Sequence, residues 1–243
     1  MVPQTYISLF SGVGGGDLAC QWLLGWQCVC YVETDEYCQR VLRQRIADGL
    51  LDDAPIWDDA KTFDGRPWRG RVDCVTGGPP CQPFSLAGKR EGESDERNLW
   101  PAAFECIRQI QPRCGLLENV PGLISCGYFA AVLGTLADCG YDAEWGVLSA
   151  ADVGAPHIRE RLWIYFADTN GVRSQGVRTT AQKPWPQEQF ERLVQAELRI
   201  SLPAGSSGGV AYRYPNRVDR LRALGNGQVP LVAATAWRLL TGE

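Results

Sequence analysis

The sequence predicts an α/β fold in which a mostly parallel β-sheet carries helices on both faces. Strand-like apolar runs alternate with helix-like segments through the first two-thirds of the 243-residue chain, a pattern typical of parallel sheets. A glycine-rich turn follows the first predicted strand, and acidic or proline-rich segments follow later ones. In this class of sheet, ligands bind at the carboxyl ends of the strands.

The individual elements follow from apolar periodicity and from the turn residues between them. The predicted strands are 6–10, 28–32, 55–57, 72–76, 114–117, 144–150 and 161–167. The predicted helices are 18–24, 37–46, 98–110, 129–139 and 229–240.

The chain divides into three parts. Residues 1–168 hold the alternating elements and form the predicted main domain. Residues 169–215 are rich in Gln, Arg, Pro, Ser and Gly and predict a small variable region with few regular elements. Residues 216–243 are expected to return to the main domain through the closing helix.

Composition limits the classes of protein that this chain can belong to. No apolar run approaches the roughly 20 residues that cross a bilayer, so we expect no membrane span. The 10 cysteines lie mostly in apolar runs, without a zinc-like spacing, and there is one histidine. They predict reduced core thiols in a cytoplasmic protein and no metal site.

The net charge of −4 is unevenly distributed. Residues 1–156 carry 12 Lys and Arg against 21 Asp and Glu, a net of −9, whereas residues 157–243 carry 12 against 7, a net of +5. A basic last third is compatible with local binding of a polyanion, although chance variation in surface charge gives the same numbers.

A candidate cofactor site follows the first strand. The turn FSGVGGGD spans Phe10–Asp17, and glycines there let the backbone approach a ligand closely. Glu33 ends the second strand, 21 residues after Gly12, where a carboxylate can accept both hydroxyls of a ribose. A glycine turn alone is equally compatible with a simple tight turn, and the absence of a Walker lysine argues against a triphosphate.

Two segments place reactive groups at the same predicted edge of the sheet. In GGPPCQPFS, prolines fix the backbone around Cys81, which suits a presented nucleophile but also an inert structural loop. In LLENVPG, Glu118 follows an apolar run. Partial burial there is expected to raise its pKa and favour a proton donor, unless Glu118 only caps a turn.

Two further segments complete the set. In HIRERLWIYF, the alternating His157, Arg159 and Arg161 precede an apolar strand and are expected to share one face. Paired arginines suit a phosphate or a base edge. RALGNGQVP predicts a turn before the last helix, with a side-chain amide available for ligand contact.

The order of these segments resembles the DNA (cytosine-5)-methyltransferase family of bacteria and phages. FSGVGG, a strand-end Glu, PPCQ, ENV, RxR before a strand and GNGQVP occur in that order, and the resemblance covers the chain except about 169–215. It implies a Rossmann-like methyltransferase sheet, S-adenosyl-L-methionine as cofactor, and a reduced target-recognition region at 169–215.

The resemblance also implies roles for individual residues. The implied catalytic residues are Cys81, Glu118, Arg159 and Arg161. The implied cofactor-binding residues are Phe10, Gly12, Gly14, Glu33, Asp59, Pro80, Leu99 and Asn226. Asp58 adjoins Asp59 and is an alternative for the acid that bonds the adenine amino group.

The implied reaction is methylation of carbon 5 of a flipped cytosine in duplex DNA through a covalent Cys81 adduct. We expect a monomer, with a cognate restriction endonuclease as a candidate partner. The chain departs from the family at His157, where Gln is usual, and in its short variable region. The alternatives are an RNA (transfer-RNA) cytosine-5 methyltransferase, a non-catalytic DNA-binding relative and a dinucleotide oxidoreductase.

Overall fold

The structure is a computed structural model that describes residues 3–80, 98–169 and 217–242. Cys81 and nearly all of the predicted variable region, 170–215, lie outside these residues. Within them, no helix is long and apolar enough to cross a membrane. The nine cysteines in the described ranges form no disulfide, and six of them are buried.

Strands and helices alternate as predicted. The strands are β1 (Thr5–Leu9), β2 (Gln27–Val32), β3 (Ile56–Trp57), β4 (Cys74–Gly77), β5 (Cys114–Asn119), β6 (Tyr141–Leu148) and β7 (Arg161–Asp168). The helices are α1 (Gly15–Leu18), α2 (Glu36–Ala47), α3 (Trp100–Ile110), α4 (Gly122–Ser125), α5 (Phe129–Asp138), α6 (Arg217–Asn226) and α7 (Pro230–Thr241).

In the described part of the chain, seven strands form one sheet in the order β3-β2-β1-β4-β5-β7-β6. The first five strands are parallel, whereas β7 runs antiparallel to both β5 and β6. The order in which successive strands are added reverses between β1 and β4, and such sheets bind ligands at this switch point. The predicted α/β fold, with a mostly parallel sheet, is confirmed.

Helices cover both faces of this sheet, as predicted. On one face α3 and α5 bury a cluster that includes Trp100, Ile107 and Leu136. On the other face α1, α2 and α7 bury a cluster around Tyr6 and Trp237. The Trp237 ring packs edge-on against those of Trp26 and Tyr165, at centroid distances of 4.5 and 5.3 Å, and so fixes α7 on the sheet.

The limits of most elements differ from the predicted ones by one to three residues, and three differences bear on the site. The first helix begins at Gly15 rather than at residue 18, and continues as a π-helical segment, Ala19–Leu23. Strand β5 extends through Glu118 and Asn119, because both pair with β7. Helix α6 was not predicted: its last residues include Gly225 and Asn226, which the sequence analysis placed in a turn.

The close approach of β5 and β7 predicts a large effect of a small substitution. A methyl group at Gly115 would overlap the Phe166 ring and lie 2.6 Å from the Val75 carbonyl oxygen. Gly115→Ala is therefore expected to lower the free energy of unfolding by about 1–3 kcal/mol, measured by urea denaturation.

The matched control is Gly134→Ala on the exposed face of α5. A methyl group there meets nothing within 4 Å. This change is expected to raise stability by about 0.5–1 kcal/mol, because alanine is the better helix former. Equal effects of the two substitutions would contradict the described packing of β5 against β7.

Candidate functional site

The carboxyl ends of β1, β2, β4 and β5 meet at one edge of the sheet and bring the predicted site residues together. Phe10, Gly12 and Gly14 follow β1, Pro80 follows β4, and Glu118 lies near the end of β5. Because β7 is antiparallel, its first residue, Arg161, reaches this same edge.

The turn after β1 is shaped for close approach by a ligand. Phe10, Gly12 and Gly14 have φ angles of 53°, 57° and 84°, in the left-handed region that favours glycine. A side chain at Gly12 would meet nothing within 4 Å, so the space in front of this residue is open. A side chain at Gly14 would press on Leu51 behind the turn.

Glu33 is bonded to this turn from the end of β2. It is only 8% exposed, and its carboxylate accepts the Gly12 N–H at 2.6 Å and the Asp35 N–H at 2.8 Å. Burial raises the pKa of Glu33, and these two N–H groups oppose the rise. Each carboxylate oxygen keeps a lone pair, so the group can still accept two hydroxyls.

The open turn and the buried acid suit the ribose of S-adenosyl-L-methionine. For the other residues predicted to contact the cofactor, the structure gives the position in the chain and the degree of exposure. Asp59 is half-buried and accepts the Lys61 N–H at 2.9 Å, whereas Asp58 is exposed, so both acids remain candidates. Leu99 is half-buried at the start of α3, and Asn226 is exposed at the end of α6.

Glu118 and Arg161 form the buried charged centre of the edge. The Arg161 Nε and Glu118 Oε1 atoms lie 2.8 Å apart, and both side chains are largely shielded from solvent. Burial raises the pKa of Glu118 to about 7, although Arg161 and Arg159 act in the opposite direction. A carboxyl group near half protonation at neutral pH is suited to proton donation.

Asn119 anchors the segment that leads to Cys81. Its Nδ2 atom donates to the Pro79 carbonyl oxygen at 3.0 Å, and its Oδ1 atom accepts the Val120 N–H at 2.9 Å. Pro79 is buried and Pro80 exposed, and Cys81 follows outside the described residues. The described chain up to Pro80 therefore ends at the edge that holds Glu118.

The position of Arg159 in the structure differs from the predicted one. The residues before Arg161 are not part of β7, so His157, Arg159 and Arg161 do not share a strand face, and His157 is exposed. The Arg159 Nη2 atom donates to the Gly225 and Gly227 carbonyl oxygens at 2.8 and 2.6 Å. Arg159 thus binds the last turn of α6 and the loop that follows it, although its charge still acts on Glu118.

Sequence reasoning missed Gln228. The GNGQVP segment was noted, but only Asn226 was selected from it. In the structure, a methyl group at Gly15 or Gly16 would overlap Gln228, and one at Gly78 would lie 3.1 Å from its Nε2 atom. Paired glycines facing a polar residue from a distant motif leave no signal in a single sequence.

Comparison with known proteins identifies the family. The family model described as C-5 cytosine-specific DNA methylase matches residues 4–203. The chain belongs to this family. The type II methyltransferase M.AquIA of Picosynechococcus is 34% identical over 178 residues, which cover 67% of this chain and 71% of that protein.

Two further relatives agree. M.HpaII of Haemophilus parainfluenzae is 36% identical over 70% of this chain and 48% of its own length. M.NgoMIV of Neisseria gonorrhoeae is 33% identical over 65% and 50%. Both are type II methyltransferases. The matches thus span about half of these two relatives.

Solved structures share the fold. A prophage-encoded protein of E. coli, described as a candidate DNA modification methyltransferase, is 27% identical with a TM-score of 0.56, over 68% of this chain and 47% of that one. The S. pombe Dnmt2 methyltransferase is 21% identical with a TM-score of 0.55, over 85% and 58%, and this likeness concerns the fold alone.

The family match and the named relatives place the chain among the C-5 cytosine-specific DNA methylases, and enzymes of this family use S-adenosyl-L-methionine as methyl donor. The roles of individual residues, the DNA target and the partners of this chain are proposals.

The buried position of Glu33 predicts a selective loss of cofactor affinity. Glu33→Ala is expected to weaken S-adenosyl-L-methionine binding by about 1–3 kcal/mol, because the ribose hydroxyls lose a charged acceptor. Calorimetry measures this affinity, and Glu36→Ala on the exposed first turn of α2 is the control. Equal loss of cofactor and DNA affinity in Glu33→Ala would contradict the ribose role.

Proposed function

We propose that this chain methylates carbon 5 of a flipped cytosine in duplex DNA, with Cys81 as the covalent nucleophile. The carrying observation is the buried Glu118, paired with Arg161 at 2.8 Å on the edge where the Pro79–Pro80 segment ends. A proton donor and a fixed cation beside a nucleophile loop match the needs of addition to a pyrimidine ring.

The cofactor supplies an electrophilic methyl group on a positively charged sulfur. We propose that the turn after β1 and Glu33 hold its ribose and amino-acid parts. The remaining proposed contacts come from Asp59 or Asp58, Pro80, Leu99 and Asn226. Asp58 and Asp59 follow β3, Pro80 follows β4, Leu99 directly precedes α3 and Asn226 ends α6.

The proposed chemistry begins at Cys81. Carbon 5 of cytosine is a weak nucleophile, and addition of a thiolate at carbon 6 moves an electron pair towards carbon 5. Glu118 donates a proton in a hydrogen bond to ring nitrogen 3, where negative charge would otherwise develop. Arg161 binds the exocyclic oxygen. Carbon 5 would take the methyl group as the bond between that methyl and the sulfonium sulfur breaks, which leaves the neutral thioether S-adenosyl-L-homocysteine. Transfer of the carbon-5 proton to a solvent base would then expel the Cys81 thiolate.

We further propose that residues 169–215 are a target-recognition region that is shorter than is usual in the family. Support comes from the net charge of +5 in residues 157–243 and from the place of this region between β7 and α6. So short a segment can place few side chains on base edges, while its arginines can bind phosphates. We therefore expect a short or degenerate target sequence in DNA, and a DNA affinity that falls strongly as the salt concentration rises.

The compartment, the oligomeric state and the protein partner of this chain are also proposals. We propose a cytoplasmic monomer, and the absence of disulfides among the cysteines of the described ranges is compatible with a reducing compartment. The type II names of the relatives support a cognate restriction endonuclease as partner.

Substitution of the proposed nucleophile tests the reaction. Cys81→Ser is expected to abolish methyl transfer to DNA while S-adenosyl-L-methionine binding stays within about threefold, because a serine hydroxyl is far less ionised than a thiol at neutral pH. Bisulfite sequencing of DNA from expressing cells measures methylation, and calorimetry measures cofactor binding.

The control is Cys126→Ser, an exposed cysteine after α4, which is expected to leave methylation unchanged. Substantial turnover by Cys81→Ser would contradict covalent catalysis. Methylation of transfer RNA in preference to duplex DNA, in a competition assay, would contradict the proposed substrate.

The raised pKa of Glu118 predicts a pH dependence. Its protonated form is lost as pH rises through about 7, so kcat/KM for DNA should fall about tenfold per pH unit above that point. Glu118→Gln is expected to lower kcat by about 10²–10⁴-fold and to remove this alkaline limb.

Stability gives an independent check of the same carboxyl group. Its folded-state pKa of about 7 exceeds the ordinary value of 4.5, so the native state is destabilised as pH rises between these two values. The difference in Tm between Glu118→Gln and the unsubstituted protein should therefore move in favour of the variant from pH 5 to pH 8. A constant difference would contradict the raised pKa.

A further inference from the structure

Gln228 lies in the loop between α6 and α7, directly against the first turn of α1. A methyl group at Gly15 would overlap the main-chain carbonyl oxygen of Gln228, and one at Gly16 would overlap its side-chain Oε1 atom. The two glycines therefore allow this loop to contact the cofactor turn, and α1 can begin there only because neither residue carries a side chain.

The other end of the Gln228 amide faces the catalytic edge. A methyl carbon added at Gly78 would lie 3.1 Å from the Gln228 Nε2 atom and 3.2 Å from the Glu118 Oε2 atom. Gly78 directly follows β4, and Pro79 and Pro80 come next. The amide is thus placed between the cofactor turn, the end of β4 and the carboxyl group of Glu118.

Arg159 holds the loop that carries Gln228. Its guanidinium binds the carbonyl oxygens of Gly225 and Gly227, on the N-terminal side of Gln228. On the C-terminal side, α7 begins at Pro230 and is fixed to the sheet by the buried Trp237. The position of the amide is therefore set from both directions.

We propose that Gln228 is a positioning residue, whose side-chain amide holds the cofactor turn against the end of β4 and faces Glu118. In this arrangement Arg159 also acts by positioning, through the Gly225 and Gly227 carbonyls. The role towards Glu118 rests on the proposed function, whereas the contact with the cofactor turn does not.

The uncharged amide suits this position. Its Oε1 atom accepts and its Nε2 atom donates hydrogen bonds, so it can lie between a backbone turn and a carboxyl group. A carboxylate in its place would add a negative charge facing Glu118. The charged groups that already face Glu118 are Arg161, from β7, and Arg159, from the segment before it.

A double-substitution cycle tests the contact with the cofactor turn. Gly16→Ala overlaps a side-chain atom, which Gln228→Ala removes, whereas Gly15→Ala overlaps a main-chain atom, which Gln228→Ala leaves in place. Gly16→Ala is expected to weaken S-adenosyl-L-methionine binding about tenfold and to lower the Tm of the cofactor-free protein. Adding Gln228→Ala to Gly16→Ala should restore most of the lost cofactor affinity and most of the lost Tm. Adding Gln228→Ala to Gly15→Ala should restore little of either.

Additive effects of Gly16→Ala and Gln228→Ala on cofactor affinity and Tm would overturn the proposed contact. Equal recovery of these two quantities in the Gly15→Ala and Gly16→Ala backgrounds would also overturn it. The Tm and calorimetric measurements need no DNA. If the unsubstituted protein fails to methylate cytosine, the proposed function falls while this cycle still decides the contact.

Gln228→Glu tests the role towards Glu118 with almost no change in shape. The added negative charge is expected to move the alkaline limb of kcat/KM to higher pH by about one unit. Gln228→Ala should lower kcat without moving that limb, and Gln27→Glu, exposed at the start of β2, should change neither. An alkaline limb for Gln228→Glu that coincides with that of the unsubstituted protein would overturn the proposal.

Discussion

The burial of Glu118 beside Arg161 is the interaction on which the catalytic edge depends. A carboxylate this deep in a protein is costly unless a cation lies next to it, and loss of one partner of such a pair typically costs about 3–5 kcal/mol. The sheet meets this demand by its topology. Because β7 runs antiparallel to β5, the N-terminal end of β7, Arg161, arrives where β5 ends with Glu118 and Asn119.

The neighbouring loops are arranged around this pair. Asn119, the residue after Glu118, binds the Pro79 carbonyl and so ties the segment leading to Cys81 to the end of β5. Arg159 adds a second positive charge near Glu118 while it binds the loop before α7. Hydrogen bonds between residues far apart in sequence therefore hold the segment before Cys81 and the loop before α7 near the buried Glu118.

The sequence predicts those features that depend on local pattern. Apolar runs located every described strand to within a few residues. The spacing of Gly12 and Glu33 predicted that both belong to one cofactor site, and the structure joins them by a hydrogen bond. The placement of Glu118 after an apolar run anticipated its burial and its raised pKa.

Features that depend on tertiary packing could not be predicted in this way. Consecutive glycines disfavour a helix, yet α1 begins at Gly15, and Gln228 occupies the space that side chains at Gly15 and Gly16 would need. The alternation of Arg159 and Arg161 indicated a shared strand face. The Gly225 and Gly227 carbonyls, 66 and 68 residues further along, instead draw Arg159 away from the strand.

The protonation state of Glu118 links the fold to the reaction, and it can be observed directly. Carbon-13 NMR of the protein labelled at glutamate carboxyl carbons, with Glu118→Gln to assign the signal, gives the titration of this one group. A pKa of about 7, raised by burial, is expected in the cofactor-free protein. A titration in the ordinary range near 4.5 would contradict a buried, proton-donating carboxyl group at this edge.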